Sequence, residues 1–196
     1  MVRTSKLWVA SARLPRPLLI GGVVAIAVVT GLVTWLVTKG DSGSTQPATA
    51  SQSKTAPIGP IALSADDLRA LAGSLGQPVY WAGPEPGRRY ELIRTTAGNV
   101  FLRYLPSGVK AGDKRLLRTI GTYPYKRGYL ATLEVAAKKD AVSKRVAGGW
   151  VAVYRRSRPT NIYLARRGYD YQLEVFDSSP AEARQVAYSG KLTKVP

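Results

Sequence analysis

Among its 196 residues the chain has no cysteine, no histidine, one methionine and two phenylalanines. Without cysteine there are no disulfides and no thiolate nucleophiles, and nothing in the chain records the redox state of its compartment. Without histidine as well, Cys/His zinc sites and Ser-His-Asp or Cys-His relays are excluded. Phosphate-binding signatures are also missing: no GxxxxGK[ST] occurs, and no GxGxxG follows a strand-like run. No Ser-x-x-Lys opens a plausible helix in the folded part, so a serine-lysine dyad has no support. The sequence therefore implies no cofactor and no metal, and singles out no catalytic residue. Acidic residues are scarce too, 12 Asp and Glu against 29 Lys and Arg, a formal net charge of +17.

Apolar residues are concentrated in one block. Leu18 to Val37, LLIGGVVAIAVVTGLVTWLV, is twenty residues without a charge. At about 1.5 Å per residue such a run crosses roughly 30 Å of hydrocarbon as a helix. Ala48-Thr49-Ala50 has the small-x-small look of a cleavage site. However, it lies well beyond Val37, and the run exceeds the roughly 7 to 15 residues of a signal h-region, so an uncleaved anchor is the expectation. Arg3, Lys6, Arg13 and Arg16 precede the run, whereas Lys39 after it is balanced by Asp41. The positive-inside bias then predicts a cytoplasmic N-terminus and an extracytoplasmic remainder. KGDSGSTQPATASQSKTAPIGP, residues 39 to 60, is poor in large apolar groups and reads as a flexible tether. The expected division is 1–17 basic N-terminus, 18–37 transmembrane helix, 38–60 linker and 61–196 folded domain. The small-xxx-small pairs Gly21/Ala25 and Ala27/Gly31 leave the oligomeric state open.

From Ile61 onward 23 Lys and Arg face 11 Asp and Glu. Ser64 is a good N-cap, with Asp66 and Asp67 in the first turn, Leu68, Leu71, Ala72 and Leu75 on one face, and Gly76 as the stop. Ser179-Pro180-Ala181-Glu182 predicts a second helix with a capping-box glutamate, ended by Gly190. A third is expected over Tyr129 to Val142, with Leu130, Leu133, Ala137 and Ala141 inward and a Glu134/Lys138 pair outward. Strand signals fall at Val79–Ala82, Tyr90–Thr95, Val100–Leu105, Leu116–Ile120, Trp150–Tyr154, Ile162–Ala165 and Tyr171–Phe176. Trp150–Tyr154 is apolar enough on both faces to be central. Tyr171–Phe176 alternates, with Tyr171, Leu173 and Val175 on one face and Gln172 and Glu174 on the other. A displacement of 70 residues superposes Tyr80 on Trp150, Leu92 on Ile162, Gly98 on Gly168, Phe101 on Tyr171 and Leu105 on Val175, suggesting a duplicated helix-strand-hairpin unit. The predicted class is α+β: an antiparallel sheet with about three helices on one face.

GQPVYWAGPEPGRRYEL, residues 76 to 92, draws together aromatics, prolines and an arginine pair. Each residue has a local use in turns and packing. The alternative is a ligand loop in which Tyr80, Trp81 and Tyr90 form an aromatic platform flanked by Arg88 and Arg89. Basic doublets recur at 88–89, 114–115, 126–127, 138–139, 144–145, 155–156 and 166–167, and most fall at predicted strand ends, where both cations can be wet. The candidate ligand-binding residues are therefore Tyr80, Trp81, Tyr90, Arg88, Arg89, Arg155 and Arg156. Candidate partners are the lipid bilayer and an anionic envelope polymer or envelope protein, with nucleic acid less favoured because no aromatic-basic RNA-binding module is present. A carboxylate pair such as Glu85/Glu91 or Asp170/Asp177 is of the kind that acid-base work uses, but no spacing or flanking motif supports a choice.

The segments GQPVYWAGPEPGRRYELIRT, VFLRYLPSGV, TIGTYPY and YQLEVFDSSPAEAR resemble stretches of single-span cell-envelope proteins of high-GC Gram-positive bacteria. The resemblance spans most of Ser64 to Ser189. It implies an anchored topology and brings no activity, ligand or catalytic residue with it.

Overall fold

The computed structural model describes residues 56–196. The apolar run at 18–37 and nearly all of the expected linker lie outside the described residues. Among the described residues no helix is long and apolar enough to cross a membrane.

The class is α+β. Eight antiparallel strands form one sheet: β1 (Ile58–Leu63), β3 (Arg89–Arg94), β4 (Val100–Leu105), β5 (Thr119–Pro124), β6 (Ala141–Val146), β7 (Trp150–Arg155), β8 (Asn161–Arg166) and β9 (Tyr171–Phe176). Their spatial order is β1-β3-β4-β5-β9-β8-β7-β6, two meanders joined where β5 pairs with β9. The short strands β2 (Tyr80–Trp81) and β10 (Thr193–Lys194) form a separate antiparallel pair. The α-helices among the described residues are α1 (Ala65–Ser74), α2 (Gly128–Ala136) and α3 (Pro180–Tyr188).

The alternation of side chains assigns two faces. On one, Tyr90, Leu92, Leu102, Tyr104, Ile120, Leu173, Val175, Ile162, Leu164 and Ala152 are buried in a single cluster. Leu68 and Ala72 of α1 and Ala183, Val186 and Ala187 of α3 complete it, together with Val79, Trp81 and Val195 from the small sheet. Burying groups of this kind is the main favourable term in folding. On the other face lies α2, whose Gly128 sits where a β-carbon would come within 3.3 Å of Gln172 Cβ.

Several expectations need correction. The helices do not share one face: α2 is opposite α1 and α3. It is also shorter than 129–142, because the chain turns at Lys138 and Ala141 opens β6. Its inward residues are Ala131, Thr132 and Val135, while Leu130 is 52% and Leu133 39% exposed. Small side chains let this helix sit directly on the pleat; the leucines misled because they have the same spacing as the true buried stripe, rotated around the axis. Among the described residues the first strand opens at Ile58, where it pairs with Arg94, with a bulge before Ile61 that accommodates Pro60 on an edge strand. The strand expected at Leu116–Ile120 starts later, leaving Leu116 exposed. Trp150–Arg155 is second from the edge, and β9 is central, with both neighbours paired. The displacement of 70 residues keeps Leu92 and Ile162 on one face. It sets Phe101 against Tyr171 and Leu105 against Val175 from opposite faces, because Leu92 pairs with Leu102 whereas Ile162 pairs with Val175. The two hairpins therefore do not correspond at that displacement.

Candidate functional site

The aromatic residues of the 76–92 segment are not presented to solvent. Tyr80, Trp81 and Tyr90 are all buried. Their rings run edge to face through the core: Tyr80 with Trp150 at 6.0 Å, Trp81 with Tyr90 at 5.9 Å, and Tyr90 with Tyr104 at 5.2 Å. The hydroxyls of Tyr90 and Tyr104 hold the Pro/Gly loop above them. Tyr90 Oη accepts from the Glu85 amide at 2.8 Å, and Tyr104 Oη accepts from the Ala82 amide at 2.7 Å while donating to the Gly83 carbonyl. Burial pushes the Tyr104 hydroxyl far above its ordinary range.

The four candidate arginines share one end of the sheet without converging. Arg88 and Arg89 precede and open β3, whereas Arg155 and Arg156 end β7, five strand spacings away, roughly 24 Å at about 4.8 Å each. Arg89 donates to the Ala62 carbonyl, Arg88 lies 3.6 Å from Glu85, and Arg155 binds Asp140. Between them Arg118 gathers three carboxylates: Asp177 at 2.9 Å, Glu85 at 2.6 Å and Glu182 at 3.0 Å. These come from the end of β9, the 83–88 loop and the first turn of α3. The expected capping-box glutamate is thus spent on Arg118, and the Ser179 amide is taken by Asp177 instead.

The proposed acid-base pairs do not form. Asp170 and Asp177 flank opposite ends of β9, roughly 24 Å apart at about 3.4 Å per residue. Glu91 is wholly buried, bound to Arg103 at 2.7 Å and to the Gly112 amide at 2.7 Å, and so ties the 106–118 loop to the sheet. Arg103 adds bonds to the carbonyls of Asp113 and Arg115.

Sequence reasoning missed one perturbed carboxyl. Glu174 lies on the Gln172 face of β9, opposite Leu173 and Val175, yet it is 2% exposed. Tyr123 and Tyr163 donate their hydroxyl protons to it and Asn161 its amide, the latter two at 2.9 and 2.7 Å. Burial drives the Glu174 carboxyl above its ordinary value, against the opposing pull of those hydrogen bonds, and drives both tyrosine hydroxyls upward too. Gly121, directly across from Glu174, makes this possible: a β-carbon there would lie 2.9 Å from the Tyr123 ring, which folds back over the glycine. A perturbed carboxyl is a common mark of a site. Here every buried side-chain polar atom among the described residues has a partner, and the group is closed off from solvent.

The other end of the sheet holds a second group of cations. Lys126-Arg127-Gly128-Tyr129 follows β5, and Arg166-Arg167-Gly168-Tyr169 forms the β8–β9 turn. The Tyr125 amide donates to the Asp170 carbonyl at 2.7 Å, placing the segments side by side. Arg166 stacks on Tyr169, 4.7 Å from the ring centroid, and Tyr169 packs edge to face on Trp150. Tyr80 lies beneath, its hydroxyl raised by burial and further by Tyr169. Tyr125, Tyr129, Tyr169 and Tyr171 are half-buried, and Lys126, Arg127 and Arg167 are exposed. The recurrence of [KR]-R-G-Y forty residues apart was the signal that would have found this cluster.

Among the described residues no group of His, Cys, Asp and Glu is arranged to hold a metal ion. Comparison of the chain with protein-family models, with curated proteins and with solved structures finds no match.

Proposed function

We propose that this is a membrane-anchored, extracytoplasmic binding module of a bacterial cell envelope, without catalysis, whose partner is an anionic envelope polymer. The observation that carries the reading is how the charges are distributed. Most carboxylates of the domain are taken up by arginines: Asp66, Glu85, Glu91, Asp113, Asp140, Asp177 and Glu182 are all in ion pairs. The cation surplus of 56–196 is thereby left on the surface at both ends of the sheet, a surface suited to a polyanion. The uncharged run 18–37 anchors the chain, the cations before it hold the N-terminus in the cytoplasm, and the Ser/Thr/Ala/Pro-rich segment spaces the domain from the bilayer. Glu85, Asp177 and Glu182 converge as a hydrolase would require, but they do so on the Arg118 guanidinium, which occupies the space between them.

Protease added to intact cells tests the placement: the reading expects loss of the region after Gly40, and protection of that region overturns it. Retention of the chain by purified, negatively charged wall polymer, released by salt, tests the partner. Equal retention by uncharged glycan overturns that part.

A further inference from the structure

We propose that the end of the sheet built from Lys126, Arg127, Tyr129, Arg167 and Tyr169 is the polymer-binding surface, and that its ligand is a repeating phosphodiester of a polyol or sugar. The inference rests on the binding reading above and assigns it a place and a chemistry.

Two copies of one short sequence, [KR]-R-G-Y, lie next to each other, fixed by the Tyr125–Asp170 backbone bond and by the pairing of Pro124 with Tyr171. A pair of like segments suits a ligand that itself repeats, because occupying the first makes the second an intramolecular event. Each segment supplies a guanidinium, which takes two phosphate oxygens at once, beside a half-buried tyrosine whose ring and hydroxyl match an alcohol-bearing linker. Among the described residues no ion pair engages Lys126, Arg127 or Arg167, in contrast to Arg88, Arg118 and Arg155 at the opposite end. The glycines hold the geometry by different means. Gly168 has φ +79°, which the turn requires, and Gly128 is pressed against Gln172 at the start of α2. Tyr169 is braced by Trp150 and Arg166, so its ring is already in place before a ligand arrives. Asp170 is the single carboxylate in these two loops and is exposed. It opposes an anion, so its removal strengthens binding.

The test uses the full-length chain in neutral-lipid nanodiscs, titrated at fixed salt with a glycerol phosphate decamer and with glycerol phosphate itself. The decamer is expected to bind at least about a hundredfold more tightly than the monomer. Lys126→Ala/Arg127→Ala and, separately, Arg167→Ala each weaken the decamer roughly tenfold. Asp170→Asn tightens it, and Lys110→Ala/Arg158→Ala, in the exposed loops after β4 and β7 at the far end, leaves it within about twofold. If wild-type protein ignores the decamer, the polymer reading of the whole protein falls. If it binds but the two loop variants match wild type, or the far-end variant weakens binding as much as they do, this surface is wrong while that reading stands. A monomer as tight as the decamer overturns the repeating ligand. Nanodiscs carrying phosphatidylglycerol provide the last arm: if they alone slow acetylation of Lys126, the surface belongs to lipid headgroups and not to a polymer.

Discussion

Gly121, Tyr123 and Glu174 show how a single missing side chain decides the chemistry of a strand pair. Tyr123 reaches Glu174 only because nothing projects from Gly121 beneath its ring. Gly121→Ala is therefore expected to destabilise the fold by about 1–3 kcal/mol through overpacking. In a Gly121→Ala/Tyr123→Ala double variant the costs should be less than additive, read by urea unfolding of the four proteins. Glu174 makes a pH prediction. Its carboxyl is raised in the folded chain, so the fold binds the proton more readily than the unfolded chain does. Stability then falls as pH rises from the ordinary value of 4.5 through the folded value. Glu174→Gln keeps the shape, and the tyrosine hydroxyls can accept as well as donate, so it should remove that fall and be more stable than wild type once the pH has passed the folded value. Glu174→Ala leaves two hydroxyls and an amide without partners and should cost about 2–4 kcal/mol at every pH. A wild-type stability profile that rises from pH 5 to pH 8, parallel to that of Glu174→Gln, defeats the assignment.

Elements were legible where a local rule selects them. Ser64 caps α1 in a reciprocal box with Asp67, and its hydrogen bonds hold the Asp67 carboxyl below the ordinary range, as expected for an acid in a first turn. Ser64→Ala should cost about 1 kcal/mol, seen as a lower urea midpoint with unchanged slope. The strands β4 and β9 have the bounds that their alternation predicts. Illegible elements failed for particular reasons. β6 begins with Ala141, which continues a helical spacing, and only the turn after Lys138 diverts it. β1 contains Gly59 and Pro60, residues that argue against a strand unless it lies at an edge. At α3 the cap itself was legible, Ser179 accepting from the Glu182 amide, but the partner of the Glu182 carboxylate was not, because that partner is Arg118, distant in sequence. Arg118→Ala releases three carboxylates at once from a half-buried position and should cost about 2–3 kcal/mol after allowance for solvent screening. Amide exchange should quicken across 180–188 more than across 65–74; equal acceleration in both helices would count against Arg118 as the clasp of α3.

At the scale of the molecule, a sheet of eight strands ends in two edges that are both protected. β1 carries a bulge and a proline, and β6 exposes Ser143, Lys144 and Arg145. The surplus of positive charge acts across the whole surface, and its self-repulsion is screened by salt. The melting temperature of the chain should accordingly rise between low and physiological ionic strength, and a polyanion should raise it further than salt alone. A melting temperature that falls with salt would show that the ion pairs around Arg118 and Glu91 outweigh that repulsion. The sequence by itself determined the excluded chemistry, the charge surplus, the α+β class and the helix caps, because each depends on residue type or on neighbours within four positions. Tertiary structure alone decided that Glu174 and Gln172 are buried, that the aromatics of 76–92 serve the core, that α2 covers the second face, and that the [KR]-R-G-Y segments meet. These are outcomes of pairing between strands far apart in sequence, and a period-two pattern says which residues share a face without saying what covers it.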